Sequence, residues 1–287
     1  MTTTVAKLDG ADGQTLVADV IEPGAADSSG PTVLFLHGGG QTRGSWRATA
    51  TRIAGEGWRT VSVDQRGHGE SPWRPDGRYD NGDYAADLIA VARRWPRPVV
   101  VGASLGGLAG LLAVGELGLD VRGLVLVDVA VSNRVDGSDQ IRGFMTAHPD
   151  GFADLDEAAD AVAAYLPGRR RPRSVDGLRR NLRRHEDGRY HWHWDPRFLD
   201  HDRGRGEAAR ERLANAARRI TAPVLLVRGG RSELVDDHAV SELLALIPHA
   251  RVSVVDKAHH MVAGDDNETF GREVVRFVRA TEDSDSQ

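Results

Sequence analysis

The stretch VVVGASLGGLAG, Val99 to Gly110, carries a run of valines into a serine, Ser104, with glycine two positions away on either side, at Gly102 and Gly106. Two readings compete for that serine. Where a strand gives way to a helix, serine is a favoured N-cap, its hydroxyl accepting from an unpaired amide of the first turn. Alternatively, GxSxG is a nucleophile elbow, a sharp strand-to-helix turn whose glycines remove side chains that would collide with the serine's surroundings. Short glycine patterns recur by chance, so the rest of the chain must decide.

At 287 residues and 40% hydrophobic content, the chain can bury a large core as one domain, or as one domain carrying an insertion. Its net charge is −5, with arginines spread through a chain richer in acids than bases, so no basic field favours nucleic acid or an anionic membrane. Cysteine is absent, which excludes disulfides, thiolate metal sites and a cysteine nucleophile. Any nucleophile is therefore an oxygen or an amine. The start MTTTVAKLDGADG lacks the basic residues and apolar stretch of a signal peptide, and no apolar run approaches the roughly 20 residues needed to span a bilayer. A soluble, cytoplasmic protein is expected.

Short apolar runs recur with helical segments between them. QTLVADVI (Gln14 to Ile21) alternates like a half-exposed strand, while PTVLFLH (Pro31 to His37), TVSVD (Thr60 to Asp64), PVVVGA (Pro98 to Ala103), GLVLVD (Gly123 to Asp128), PVLLVRG (Pro223 to Gly229) and RVSVVD (Arg251 to Asp256) read as strands buried on both faces. Helices are predicted around Ser45 to Ala54, Tyr84 to Trp95, Leu105 to Leu117, Asp237 to Leu246 and Glu268 to Arg279. Strand and helix in alternation mean an α/β fold, a mostly parallel doubly wound sheet with helices on both faces. From about Val131 to Ala222 no buried strand occurs, and LDEAADAVAAYL and RGEAARERLANAARRI read as helices. The expected division is a core of residues 1–130 and 221–287 with a helical lid at 131–220, inserted after the strand ending at Asp128. The tail TEDSDSQ, lacking an apolar anchor, reads as a frayed end.

In such sheets ligands bind at the carboxyl ends of the strands, so the residues that follow each strand carry the function. After PTVLFLH stand Gly38, Gly39 and Gly40, whose bare backbone amides can approach a ligand oxygen closely. A tight turn and a dinucleotide loop ending on Asp64 are the alternatives; the third glycine of that fingerprint is replaced by Arg43, and no G-K-[ST] follows. His37 and His68, in glycine turns after two strands, read as loop-bracing residues. After PVVVGA comes Ser104, and Leu105 offers its N–H at the start of a helix whose dipole favours a developing oxyanion. Glu233 follows PVLLVRG, and His259 and His260 follow RVSVVD. The order serine, acid, histidine is independent of the GxSxG match and fits a hydrolytic triad.

In HGGG (His37 to Gly40), DQRGHGES (Asp64 to Ser71), VGASLGG (Val101 to Gly107), LVLVD (Leu124 to Asp128), RGGRSELV (Arg228 to Val235) and HHMVAGDDN from His259, the chain resembles an α/β-hydrolase-fold enzyme over nearly its whole length outside the lid. The resemblance implies Ser104 as nucleophile and His260 as general base, with Gly39, its neighbour Gly40, and Leu105 forming the oxyanion hole. His259 stands where the family often has glycine; Met261 and Val262 after His260 favour the latter as base. Glu233 is preferred as the acid, with Asp128 as its rival. Serine at the elbow, where haloalkane dehalogenases and epoxide hydrolases have aspartate, implies acyl transfer to water from an ester or lactone through an acyl-enzyme. No cofactor and no metal are implied.

Within the lid, the arginine-rich run from Leu166 to Gly206 reads as solvated helix faces, or as groups recognising a substrate carboxylate or phosphate. His191 and His193 alternate with Trp192 and Trp194, so a strand puts the histidines on one face and the tryptophans on the other. A metal pair there lacks a third ligand, and the tryptophans read as packing the lid or lining a pocket for a hydrophobic portion of a small-molecule substrate. Two other readings use the same fold: a cofactor-free perhydrolase, haloperoxidase-like or carbon–carbon bond hydrolase on the same triad, and a ligand receptor that keeps the pocket without catalysis.

Overall fold

The computed structural model describes residues 1–24, 30–165, 175, 178–200 and 206–283. The chain starts with β1 (Thr2–Asp9), β2 (Thr15–Glu22) and β3 (Val33–Leu36), then α1 (Arg47–Gly55), β4 (Thr60–Asp64), α2 (Asn81–Ala92) and β5 (Val99–Ala103). It continues through α3 (Leu105–Gly115), β6 (Gly123–Val127), α4 (Val135–Thr146), α5 (Leu155–Tyr165), β7 (Leu182–Arg184) and β8 (Tyr190–Trp192). It closes with α6 (Glu207–Arg218), β9 (Val224–Gly229), α7 (Asp237–Leu246), β10 (Arg251–Val255), α8 (Val262–Asp265) and α9 (Asn267–Asp283). The eight-stranded sheet has the order β1-β2-β4-β3-β5-β6-β9-β10. Strand β2 is antiparallel to both β1 and β4, and the remaining neighbours are parallel.

Alternation along each central strand feeds two cores. Leu34 and Leu36, Val100, Leu124 and Leu126, and Val224 and Leu226 face one side with α2, α3 and α6. Val33 and Phe35, Val99 and Val101, Val125 and Val127, and Leu225 and Val227 face the other with α1 and α9. Both faces are dry, which is why these strands lack the polar alternation of an exposed sheet. Strand β1 escapes the apolar-run criterion because TTTVAKLD sits at the sheet edge, with Val5 66% exposed and only Leu8 buried.

The glycines around Ser104 are explained by space. A Cβ on Gly102 would lie 2.4 Å from the carbonyl oxygen of Gly106, and one on Gly106 would lie 2.4 Å from that of Leu36. Only bare residues let the first turn of α3 descend onto β3 and β5, which fixes where the helix begins. Gly115 serves the other end of α3, where a Cβ would meet the Ala216 carbonyl oxygen at 2.0 Å.

Between β6 and β9 the chain leaves the sheet and forms α4, α5 and the small hairpin β7-β8. Helix α6, which the sequence places in the lid, packs instead on α3, with Leu213, Ala216 and Ala217 buried in the main core. Its small apolar stripe matches α3. The arginine run Arg169 to Arg173 lies outside the described residues.

Candidate active site

Ser104 has φ 45° and ψ −111°, in the strained region that L-residues rarely occupy, and its side chain makes no capping hydrogen bond. The helix-cap reading is thereby answered. The residue's N–H donates to the Val127 carbonyl at 3.2 Å, tying the turn to the adjacent strand end. Leu105 opens α3, so its N–H has no acceptor within the helix. Ser104 and Leu105 line a cavity of about 880 Å³ together with Gly38, Gly39, Gly40 and His260.

His260 Nδ1 lies 2.8 Å from Asp128 Oδ2. Asp128 is fully buried one residue beyond β6, with φ 49°. It also accepts from the Gly229 N–H at 2.9 Å and from Ser232 Oγ at 2.6 Å. An ionised carboxylate only accepts, so Nδ1 carries the imidazole proton and Nε2 is left as the basic nitrogen.

Glu233, the carboxylate expected against His260, is corrected by this geometry. Its Oε1 lies 2.6 Å from His259 Nδ1, and its Oε2 accepts the His260 backbone N–H at 3.3 Å. Glu233 therefore engages the neighbouring ring and the backbone. The physical reason is sheet order: β6 lies between β5 and β9, so the residue after β6 already stands between the serine turn and the histidine loop. Gly229 lets that loop close down, since a Cβ there would lie 2.4 Å from the His259 carbonyl oxygen.

His37 and His68 are fully buried. His37 Nε2 accepts the Gln65 N–H at 3.0 Å, so its Nδ1–H donates to the Gly38 carbonyl at 2.8 Å. His68 Nδ1 lies 3.0 Å from the Arg66 carbonyl oxygen. Asp64, the acid of the dinucleotide alternative, is buried and paired with Arg43. His191 and His193 part company: the first pairs with Asp187 at 2.8 Å, whereas the second is buried against Gly69 and Gly40. Among the described residues, no three His, Cys, Asp or Glu side chains cluster so as to hold a metal ion.

Trp192 and Trp194 stack with ring centroids 4.8 Å apart and planes 11° apart, and both line the cavity. Phe144, Tyr165 and Phe198 line the same cavity. Burial pushes the Tyr165 hydroxyl up to about 12, with the Glu233 charge adding to it, so the phenol stays protonated.

Burial also holds His37 below its usual range and pushes His193 down to about 3. In the unfolded chain both rings titrate near 6.5. The unfolded state thus binds more protons below that pH, and folding stability falls as pH drops toward the folded values, by up to about 1.4 kcal/mol per pH unit for each ring. The urea midpoint should fall between pH 7 and pH 5, and His193→Gln, which does not titrate, should reduce that fall.

A family model described as alpha/beta hydrolase fold matches residues 31–266. The chain belongs to the alpha/beta hydrolase fold family. Among its relatives in that family, an esterase from Mycobacterium tuberculosis is 34% identical over 269 residues, spanning 89% of this chain and 84% of the relative. The 2-(acetamidomethylene)succinate hydrolase of Mesorhizobium japonicum is 31% identical over 257 residues, spanning 88% and 89%. A crystal structure of E-2-(acetamidomethylene)succinate hydrolase superimposes with a TM-score of 0.81 at 27% identity, over 97% of this chain and 100% of that one. These relatives support hydrolase activity for this family member. Among the described residues, no helix is long and apolar enough to cross a membrane.

Proposed function

We propose that the chain hydrolyses a carboxylic ester of a small molecule through an acyl-enzyme on Ser104. The observation that carries this reading is the hydrogen bond between His260 Nδ1 and buried Asp128, beside a strained serine turn on the same cavity. His260 Nε2 takes the Ser104 proton as Oγ attacks the carbonyl, then returns it to the departing alcohol. A water activated by the same nitrogen then releases the acid. The Leu105 and Gly39 amides, with Gly40 adjacent, stabilise the oxyanion in both steps. Asp128 takes the place of Glu233 as the acid that fixes the tautomer and stabilises the imidazolium. The segment from α4 through β8 acts as the lid. A fluorophosphonate probe tests the assignment: Ser104 should be labelled in the wild type, and equal labelling of Ser104→Ala would sink it.

The cavity wall favours a substrate that joins an apolar portion to an anion. The aromatic wall serves the first. For the second, Arg142 lines the same cavity and donates to the Leu199 carbonyl, and among the described residues no carboxylate pairs with it. A guanidinium carries five N–H donors, so several remain for a ligand carboxylate. The Mesorhizobium japonicum relative, a 2-(acetamidomethylene)succinate hydrolase and thus named for a dicarboxylate, accords with this reading. Between matched esters with and without a terminal carboxylate, kcat/KM should favour the carboxylate by about tenfold or more. Arg142→Met should remove that preference while sparing the neutral ester; an unchanged ratio would exclude Arg142 from substrate recognition.

A further inference from the structure

We propose that His193, carried by the segment between β6 and β9, is a positioning residue that holds the Gly38–Gly40 loop in its oxyanion-binding shape and thereby couples that segment to catalysis. This inference rests on the reading of Gly39 and Leu105 as oxyanion donors.

Three successive glycines place the least restriction on backbone rotation that a chain can offer, so a peptide unit in such a loop turns over at little cost. An oxyanion hole requires the opposite, donors already aimed when charge develops. The structure supplies two buried rings at this loop. His37 Nδ1–H donates to the Gly38 carbonyl at 2.8 Å, and the Gln41 N–H reaches the same oxygen at 3.1 Å. A peptide unit is planar with its C=O and N–H on opposite edges, so holding the Gly38 oxygen turns the Gly39 N–H away from His37. The next support comes from His193. Its Nδ1 accepts the Gly69 N–H at 2.7 Å, which leaves the proton of the neutral ring on Nε2, 3.3 Å from the Gly40 carbonyl oxygen. Gly39 thus stands between two carbonyls, each held by a histidine of fixed tautomer. Gly40 itself has φ 75°, so its conformation suits glycine and resists substitution.

The second ring does not belong to the sheet loops. The His193 N–H donates to the Asn181 carbonyl at 3.0 Å, and its carbonyl accepts from Trp73 Nε1 at 3.2 Å. The adjacent Trp194 packs over the same loop: a Cβ on Gly40 would lie 3.3 Å from the Trp194 ring and 2.7 Å from Met145 Cε. One short stretch, Trp192 to Trp194, therefore supplies both the aromatic wall that a substrate would touch and the donor that steadies the oxyanion loop. A substrate seated on that wall favours the docked arrangement in which the hole is formed. Burial keeps the ring neutral at working pH, so the Nδ1 acceptor role persists.

Two substitutions separate this role from general packing. In His193→Asn the side-chain oxygen replaces Nδ1 as acceptor for Gly69, and the donor to Gly40 is lost. In His193→Gln the longer amide reaches toward Gly40. Removing an oxyanion donor outright typically lowers kcat by 10²–10³; loss of its support, with the donors still present, should cost about 10- to 30-fold. His193→Asn should lower kcat by that factor with KM within about twofold, and His193→Gln should recover most of it. The affinity of a trifluoromethyl ketone, which forms an oxyanion on the serine, should fall in parallel with kcat, while that of the matching methyl ketone stays the same. Wild-type kcat in His193→Asn, or equal losses in both variants and for both ketones, would overturn the proposal. Turnover surviving in Ser104→Ala would instead refute the serine mechanism itself, so the two failures are distinguishable.

Discussion

Ser104→Ala should lower ester turnover by on the order of 10⁴- to 10⁶-fold, the scale on which loss of a serine nucleophile acts. The residual rate belongs to the cavity and the oxyanion donors acting on water. The measurement is kcat for a p-nitrophenyl ester, with intact-protein mass testing whether the acyl adduct expected on the wild type is absent from the variant. Substrate affinity should change little, because the hydroxyl contributes through bond formation. The left-handed backbone at this position adds a second readout. Ser104→Gly should be equally inactive yet raise the urea midpoint, since glycine adopts φ 45° without the cost, on the order of 1–3 kcal/mol, that a strained L-residue bears. An Ser104→Ala variant within tenfold of wild type would end the serine mechanism.

Asp128→Asn should lower kcat/KM by about 10⁴-fold, whereas Glu233→Gln should cost no more than about tenfold. Asp128 is fully buried and accepts from three donors, the Gly229 N–H, the Ser232 hydroxyl and the His260 ring. An amide there must present a donor to one of them. If it faces His260, the imidazole proton shifts to Nε2 and the base is lost. Glu233 is 40% exposed at its side chain and faces His259, so its removal loosens the His260 loop through one backbone bond without altering the tautomer. A larger loss in Glu233→Gln would reverse the assignment of the acid.

The contrast between these two carboxylates marks how far the amino-acid sequence can be read. Buried strands announce themselves by apolar runs, and the residues that follow them are found by counting along the chain. Which strands become neighbours is not written locally, so nothing in LVLVD or RGGRSELV says that β6 lies between the serine strand and β9. A loop carboxylate after β9 and a terminal aspartate after β6 look alike until the sheet is assembled. Strand β1 was invisible for a related reason: a sheet edge exposed on both faces has no apolar periodicity. The alternation of His191, Trp192, His193 and Trp194 implies a strand with the histidines on one face, but β8 ends at Trp192; the tryptophans stack, while His191 pairs with Asp187 and His193 meets glycine loops from distant strands. Its only local sign was a histidine next to apolar residues.

With Asp128 rather than Glu233 against His260, the serine and acid positions lie on adjacent parallel strands, β5 and β6, joined by α3 and registered by the pairing of Ala103 with Val127. The excursion toward α4 starts only after this unit is complete. The proposed nucleophile and acid therefore form a unit ahead of the segment between β6 and β9, and the proposed base, His260, follows that segment. On the proposed roles, changes in the length or composition of the intervening stretch should leave both units intact, provided the new stretch still presents a donor to Gly40. If those roles hold, exchanging that stretch should change substrate range, with the hydrogen bond to Gly40 as the condition that a grafted segment must meet to preserve rate.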